Sequence, residues 1–596
     1  MVMNTIEQNL QALRREMQLN NIDLFIVGCS DPHLSEYMPD HWKIRAWISG
    51  FTGSAGTVVV GLDEAFLWTD VRYFLQAERE LENTGITLMK LKSQGISEYI
   101  DYICTHSTKF KNIGIDFSLN SHSEILALKK QLSQSGQNVL NIDLISNIWK
   151  NRPPLPNGPV FEHELKYAGR SFSEKVQSVR KVLENKKANS YLVTALDDIA
   201  WLFNLRGSDV ECNPVFLAFA YVSLTHVYLF IDDNKIPHEI NQDLCGDGIT
   251  CMPYTDLPAF LSHLPIDTCL LIDIARINAY LYSIIQNKKL VLDTSPITIL
   301  KSQKNETEIL NLKHAMILDG VAILKTQIWL ENKLKSETVK ETDVAQNLIN
   351  NRSLNKGYFG ESFNAIVGYQ ANGAIIHYRP EQESCADIKN EGILLVDSGG
   401  QYHFGTTDIT RTWALGMATA EQKTNYTLVL KGHIQLATIE FPVGTKGVQL
   451  DILARMYLWK AGLNYGHGTG HGVGFFLNVH EPPQGIVSGL NERGVTPIME
   501  GSLTSNEPGF YLDGQYGIRL ENLILAVKSQ ETDFGSFLKF ETVSLYPFDL
   551  NLIDLSILSS DEIAWINDYH DRVYNAFLPY LDSGEKEWLQ RQCAKI

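Results

Sequence analysis

The pattern A-W-x5-G-S occurs twice, as AWISGFTGS at 46–54 and as AWLFNLRGS at 200–208, each time after an apolar strand-like run and before further runs of that kind. Such a repeat constrains the fold more than any single element does, because a chain that repeats its flanking pattern builds the same α/β unit twice. The first copy opens with Ile6, Leu10, Leu13 and Met17 on one helical face, followed by IDLFIV, GTVVVG and AFLW. It stops at NRPPLPNGP, where four prolines in nine residues can neither continue a helix nor donate to a sheet ladder. The second copy ends near SPITILKSQKNETEIL, where a charged, strongly helical stretch begins. With 596 residues there is room for several cores, and the predicted division is 1–155, 156–302 and 303–596 in an α/β (α+β) chain.

Acidic residues outnumber basic ones, 69 against 51, so the net charge of −18 gives no general attraction to phosphate backbones and argues against nucleic acid as a partner. The opening MVMNTIEQNLQALRREM carries Glu7 and lacks the apolar core of a signal peptide, and no later run approaches the roughly 20 residues of a membrane span. A soluble protein with no membrane partner is expected. Eight cysteines (Cys29, Cys104, Cys212, Cys245, Cys251, Cys269, Cys385 and Cys593) are scattered without a CxxC pair, which fits reduced thiols in a cytoplasm. Near the end, Ser559 and Glu562 are spaced as a capping box ahead of Ile563, Ile566, Val573 and Phe577 on one helical face; that is structure, not catalysis.

The chemistry concentrates in the third segment. GILLVD reads as a buried strand ending at Asp397, SGGQYHFGTT as glycine-rich turn chemistry, and DITRTWAL as a second strand beginning at Asp408. A hairpin would bring both carboxylates to its closed end; the plainer reading is two turn-forming aspartates. In YGHGTGHGVGFFLNVHEPP, glycines at 466, 468, 470, 472 and 474 are hostile to helix, so His467 and His471 lie on a loop and not on a helical face. Three of the 16 histidines, His467, His471 and His480, fall within fourteen residues; solvated loop histidines are the alternative. In SNEPGFYLDGQYGIRLENLIL, Glu507 precedes a Pro-Gly turn and Glu521 lies in an apolar strand, where alternation puts Arg519 on its face. A structural Arg519–Glu521 ion pair would also account for it. Taken together, Asp397, Asp408, His471, Glu507 and Glu521 offer four carboxylates and one imidazole. That oxygen-rich set favours a harder divalent ion such as manganese, with zinc, cobalt and iron open, and bridging carboxylates favour two ions over one.

The ordered set D-x10-D, GHGTGH, SNEPG and GIRLEN resembles the pita-bread metallopeptidases, which include methionine aminopeptidases, prolidases, creatinase and Xaa-Pro aminopeptidases. SDPHLSEY, RAWISGFTGSAGT, LWTDVRYFLQAE, RPPLP, NGAIIHY and FETVSLYPFDLNLID look like the long, three-domain Xaa-Pro aminopeptidases across essentially the whole chain. The resemblance implies two creatinase-like N-terminal α/β domains followed by a catalytic pita-bread domain with a C-terminal extension. It implies hydrolysis of the N-terminal Xaa-Pro bond by a metal-bridging hydroxide, with prolidase activity on Xaa-Pro dipeptides or a non-catalytic scaffold as the alternatives. By the same resemblance Asp397 binds one of two ions, Asp408 and Glu521 bridge both, and His471 and Glu507 complete the shell. Glu507 would also shuttle the proton, His377 and His480 contact substrate and the tetrahedral intermediate, His467 lines the proline pocket and Arg519 stands behind the ligands. Arg72 would bind peptide beyond the proline, in its own or a neighbouring subunit, and the protein would be a cytoplasmic homodimer. Three positions depart from the family pattern: Phe404 before Gly405, Pro482 after His480-Glu481, and Val71 where glycine is usual.

Overall fold

Short runs of β-branched and aromatic residues, separated by capped helices, form two six-stranded mixed sheets in the first half of the chain. The computed structural model describes residues 5–92, 97–383 and 385–596; the first four residues of the N-terminal stretch lie outside them. After helix α1 (Thr5–Leu19), which buries Leu10, Leu13 and Met17 as its periodicity predicts, the first sheet comprises β1 (Leu24–Val27), β2 (Thr57–Gly61), β3 (Ala65–Thr69), β4 (Thr87–Lys90), β5 (Asn112–Ile115) and β6 (Asn138–Asn141). Its order is β4-β3-β2-β1-β5-β6, with β1 antiparallel to β2 and parallel to β5. The second sheet comprises β7 (Ser190–Val193), β8 (Ala218–Ser223), β9 (Val227–Ile231), β10 (Ile249–Met252), β11 (Cys269–Ile272) and β12 (Lys289–Leu292), in the order β10-β9-β8-β7-β11-β12. Here β7 is antiparallel to β8 and parallel to β11, so connectivity and strand direction repeat. The two A-W motifs fall on equivalent helices after the first strand of each sheet, α2 (Ile44–Ser49) and α3 (Leu196–Phe203), and the duplication legible in the sequence is a duplication of topology.

The chain folds as two compact units, Met1–His163 with Arg170–Thr298, and Glu164–Gly169 with Ile299–Ile596. The second unit begins with the long helix α4 (Glu306–Lys333), started by an Asn305–Glu308 capping box. Strands β13 (Ile366–Tyr369), β14 (Ile393–Ser398) and β15 (Ile409–Ala414) form an antiparallel sheet, and β14 is buried along its whole length, which is why it reads as an uninterrupted apolar run. Helices α5 (Ala420–Thr438) and α6 (Gly447–Lys460) pack on a second sheet made of β16 (Glu440–Pro442), β17 (Gly470–Gly472), β18 (Glu481–Ile486), β19 (Leu503–Asn506), β22 (Asn522–Thr532) and β23 (Gly535–Thr542), in the order β16-β23-β22-β19-β17-β18. Between β19 and β22 lies a separate hairpin of β20 (Gly509–Leu512) and β21 (Tyr516–Arg519). Helix α7 (Ser560–Phe577) starts at the expected Ser559–Glu562 capping box and buries Ile566, Val573 and Phe577. Among the described residues no helix is long and apolar enough to cross a membrane.

The α5–α6 contact matters because α6 leads straight into the glycine-rich loop. It depends on Gly432, where a Cβ would collide with the Ala454 carbonyl. Gly432→Ala is therefore expected to force the helices apart and lower stability by about 1–3 kcal/mol, read as a fall in the thermal midpoint. An unchanged midpoint would show that the contact has room to relax.

Candidate metal centre

The two aspartates are brought together by strand pairing. β14 and β15 are antiparallel with Asp397 opposite Thr410, so Asp397 and Asp408 arrive at the same end of the pair. The intervening residues do not form one tight turn; they make a small hairpin of their own, Gly400–Tyr402 against Gly405–Thr406. The glycine-rich loop enters through β17, where the backbones crowd: a Cβ at Gly470 would collide with the Ser505 carbonyl and one at Gly472 with the Glu481 carbonyl. His471 is carried between these two glycines.

GIRLENLIL, expected as one strand, is two. β21 ends at Arg519, β22 begins at Asn522, and Leu520 and Glu521 form the joint between two sheets. Arg519 is therefore the partner of Asp397 and not of Glu521: its Nε and Nη2 donate to Asp397 Oδ2 at 3.1 and 2.7 Å. Glu521, 1% exposed, accepts instead from the Thr410 hydroxyl at 2.8 Å. The ligand atoms of Asp408, His471 and Glu521 lie within 4.8 Å of one another. His471 Nε2 stands 3.5 Å from Asp408 Oδ2 and 3.6 Å from Glu507 Oε1.

The tautomer of His471 follows from its other nitrogen. Nδ1 is 2.9 Å from the Gly472 carbonyl, which can only accept, so Nδ1 carries a proton and Nε2, facing Asp408 and Glu507, is the nitrogen able to offer a lone pair to a cation. Glu507, half-buried, accepts from the Ser505 hydroxyl at 3.3 Å, and its backbone N–H is tied to the Thr469 carbonyl at 2.8 Å. Asp397 Oδ1 is buried and has no hydrogen-bond partner among the described residues.

The electrostatics are unfavourable without a cation. Burial, then the charge of Asp397, pushes Glu521 up to about 8. Burial and the neighbouring Glu521, Asp397 and Glu507 charges hold Asp408 well above the usual carboxylate range, and burial with Glu521 does the same to Glu507. Four carboxylates face one guanidinium, so the cluster carries an excess of three negative charges when ionised. A pair of divalent cations would more than offset them, and the donor set (oxygen-rich, one lone-pair imidazole, one buried oxygen without a donor) fits that purpose.

Residues 9–147 and 151–308 each match the Creatinase/Prolidase N-terminal domain, residues 311–528 match Metallopeptidase family M24, and residues 536–596 match the C-terminal region of peptidase M24. A "Probable Xaa-Pro aminopeptidase P" of Laccaria bicolor is 40% identical over 100% of this chain and 94% of its own length. One of the same name from Sordaria macrospora is 41% identical over 99% of each chain. The crystal structure of X-prolyl aminopeptidase from Caenorhabditis elegans, described as a cytosolic enzyme with a di-nuclear active site, covers 100% of both chains at 31% identity with a TM-score of 0.94. The chain belongs to metallopeptidase family M24. Its N-terminal halves are creatinase-like, as the repeat and the motifs predicted, and its second unit is the pita-bread domain of that family.

The remaining expected residues of this M24 peptidase are distributed as follows. His480 packs edge-on against His471, ring centroids 4.3 Å apart. His377 is half-buried and follows Ile376, whose carbonyl accepts from Arg519 Nη2 at 3.3 Å. His467 Nδ1 is 2.8 Å from the Gly468 carbonyl, which leaves Nε2 to accept from the Tyr511 hydroxyl at 2.8 Å. That hydroxyl, pushed up to about 12 by burial, in turn accepts from Arg519 Nη1 at 2.7 Å. Arg72 lies in the first unit, on the turn after β3, with its guanidinium paired to both oxygens of Asp70 at 2.8 Å. Phe404 is buried against Tyr402, 5.4 Å between ring centroids.

Sequence reasoning missed Thr410, Tyr511 and Arg411. Thr410 was legible, since Asp408, Thr410 and Thr412 alternate onto one strand face. Arg411 was legible by the same rule, as a charge among Ile409 and Trp413 on the opposite, apolar face. Tyr511 carries no local signal; its role depends on hairpin register, which places Gly509 opposite Arg519.

Proposed function

We propose that this M24 metallopeptidase removes the first residue from peptides whose second residue is proline. The observation that carries the reading is the buried cluster of Asp397, Asp408, Glu507 and Glu521 with the His471 lone pair, set in a chain similar over its full length to an X-prolyl aminopeptidase. Asp397 would hold one divalent ion, Asp408 and Glu521 would be shared between two, and His471 and Glu507 would complete the set; manganese is the ion the donor chemistry favours. Bound there, the ions would acidify a water and polarise the scissile carbonyl.

The chain's own groups supply the rest. Glu507, half-buried and bonded to Ser505, is placed to take a proton from the attacking water and return it to the leaving nitrogen. His377 and His480, both half-buried, would donate to the oxygen that gains charge. Arg519 orients Asp397, and through Tyr511 it fixes the His467 ring. An X–Pro amide offers no N–H for recognition, so the proline ring has to be gripped by shape, and His467 is placed to line such a pocket. Arg72 would contact peptide beyond the proline. The domain division 1–155, 156–302 and 303–596, a homodimer and a cytoplasmic location complete the proposal; the location is supported by a C. elegans neighbour described as cytosolic.

The test is amino-acid release from X-Pro-Y, X-Ala-Y and the dipeptide X-Pro, with manganese and after chelation. The expected result is release from X-Pro-Y that is far faster than from X-Ala-Y and is lost on chelation. Cleavage of the dipeptide alone would make the chain a prolidase, and no cleavage of any peptide would favour a non-catalytic scaffold.

A further inference from the structure

Glu481 follows His480 and opens β18, and it lies opposite Gly472, the residue after His471, in the β17–β18 register. The two backbones touch there, because a Cβ at Gly472 would collide with the Glu481 carbonyl. Glu481 thus sits at the joint from which both histidine rings project, and its carboxylate lies in a fully buried charge cluster. Lys304 Nζ pairs with Glu481 Oε2, and Lys301 Nζ lies 3.4 Å from Oε1. All three side chains are at most 1% exposed. Lys304 also donates to the Lys301 carbonyl at 3.3 Å, and its own N–H donates to the Gly501 carbonyl at 2.9 Å.

One lysine would neutralise Glu481. A buried ion pair is costly to desolvate and adds little to stability that an apolar pair of the same volume would not supply. What the lysines achieve is geometric: Lys304 holds Oε2 and the Lys301 charge stands 3.4 Å from Oε1, which fixes where the Glu481 carboxylate lies relative to the backbone behind it. We infer that Lys301 and Lys304 are positioning residues for the hydrolysis, locking through Glu481 the backbone that presents His480 against His471. This rests on the assignment of His480 to the substrate side of the site.

The test compares Lys304→Met, His480→Ala and the double variant, with Lys235→Met as a matched control, since Lys235 is an equally buried partner of Asp209 in the first unit. Turnover of X-Pro-Y and the thermal midpoint are measured for each. Lys304→Met is expected to lower kcat by about tenfold or more with KM changed by less than about threefold, because a displacement of well under 1 Å at His480 is enough. Lys235→Met is expected to lower the midpoint comparably and leave kcat unchanged. In the His480→Ala background, Lys304→Met should change kcat by less than about twofold, the non-additivity of two groups acting through one contact. Losses that multiply in the double variant, or an unchanged kcat in Lys304→Met, overturn the inference and leave the assignment of His480 standing. An unchanged kcat in His480→Ala overturns that assignment and the inference with it. If Lys304→Met does not fold, Lys301→Met, at the longer contact, carries the same comparison with an expected loss of about threefold.

Discussion

Replacing Asp408 by alanine is expected to abolish turnover and leave the metal-free protein at least as stable as the native one. Loss of activity follows from removing a carboxylate proposed to be shared by both ions, whose Lewis-acid contribution is several kcal/mol; at 1.36 kcal/mol per decade the fall is about a thousandfold or more. The stability half follows from the charge balance. Asp408 is 4% exposed and faces Glu521, Asp397 and Glu507, so in the absence of a cation it adds repulsion and desolvation that alanine does not. His471→Ala should abolish turnover equally but without the gain in metal-free stability, because it removes no carboxylate from the cluster and its Nδ1–H bond to Gly472 is lost. Manganese at about a hundredfold excess over its dissociation constant should stabilise the native protein by about 2.7 kcal/mol and do far less for either variant. Thermal midpoints with and without manganese, beside turnover of X-Pro-Y, measure all of this. Near-normal turnover in either variant would sink the proposed site.

Much of this site was legible because its chemistry is local in sequence. Asp397 and Asp408 mark the ends of two strands, the alternating glycines announce a crowded loop around His471, and a carboxylate at Glu521 in an apolar run demands a partner. The duplicated α/β unit was legible too, since the A-W motif marks the same helix of the same topology twice. What period-two alternation could not supply was the break between Arg519 and Glu521. It assigned the two residues to one face and so to one another, but the chain changes sheets at Leu520 and each finds a different partner. Lys301, Lys304 and Tyr511 were invisible for a related reason. Their partners lie elsewhere in the sequence and are brought near only by sheet register and tertiary packing.

Arg411 carries the second large prediction. On β15 it is 2% exposed, and its donors go to oxygens that bear no formal charge. Nη1 reaches the carbonyls of Glu521 at 2.6 Å and Thr410 at 2.9 Å. Nη2 reaches the Tyr546 carbonyl at 2.6 Å, Asn522 Oδ1 at 2.8 Å and the Tyr569 hydroxyl at 3.0 Å, and Nε reaches the Pro547 carbonyl at 3.2 Å. The guanidinium also stacks 4.4 Å over the Phe548 ring. One side chain therefore joins the strand of Asp408, the backbone of Glu521 and the segment leading to α7. Arg411→Met would leave those oxygens buried without donors at about 1–3 kcal/mol each before relaxation, so a net loss of about 4 kcal/mol or more is expected. Against a total stability of roughly 5–15 kcal/mol that is a large share, and in a unit of this size it is a fall in thermal midpoint of about 6 °C or more. Lysine should restore little, since a point charge cannot serve acceptors spread around a planar fork. Because the Glu521 carbonyl is among the released groups, the variant that remains folded at low temperature should also bind manganese about tenfold or more weakly, as other losses behind a metal ligand do. A midpoint and a manganese affinity both equal to those of the native protein would show that Arg411 fills space behind Glu521 without holding it.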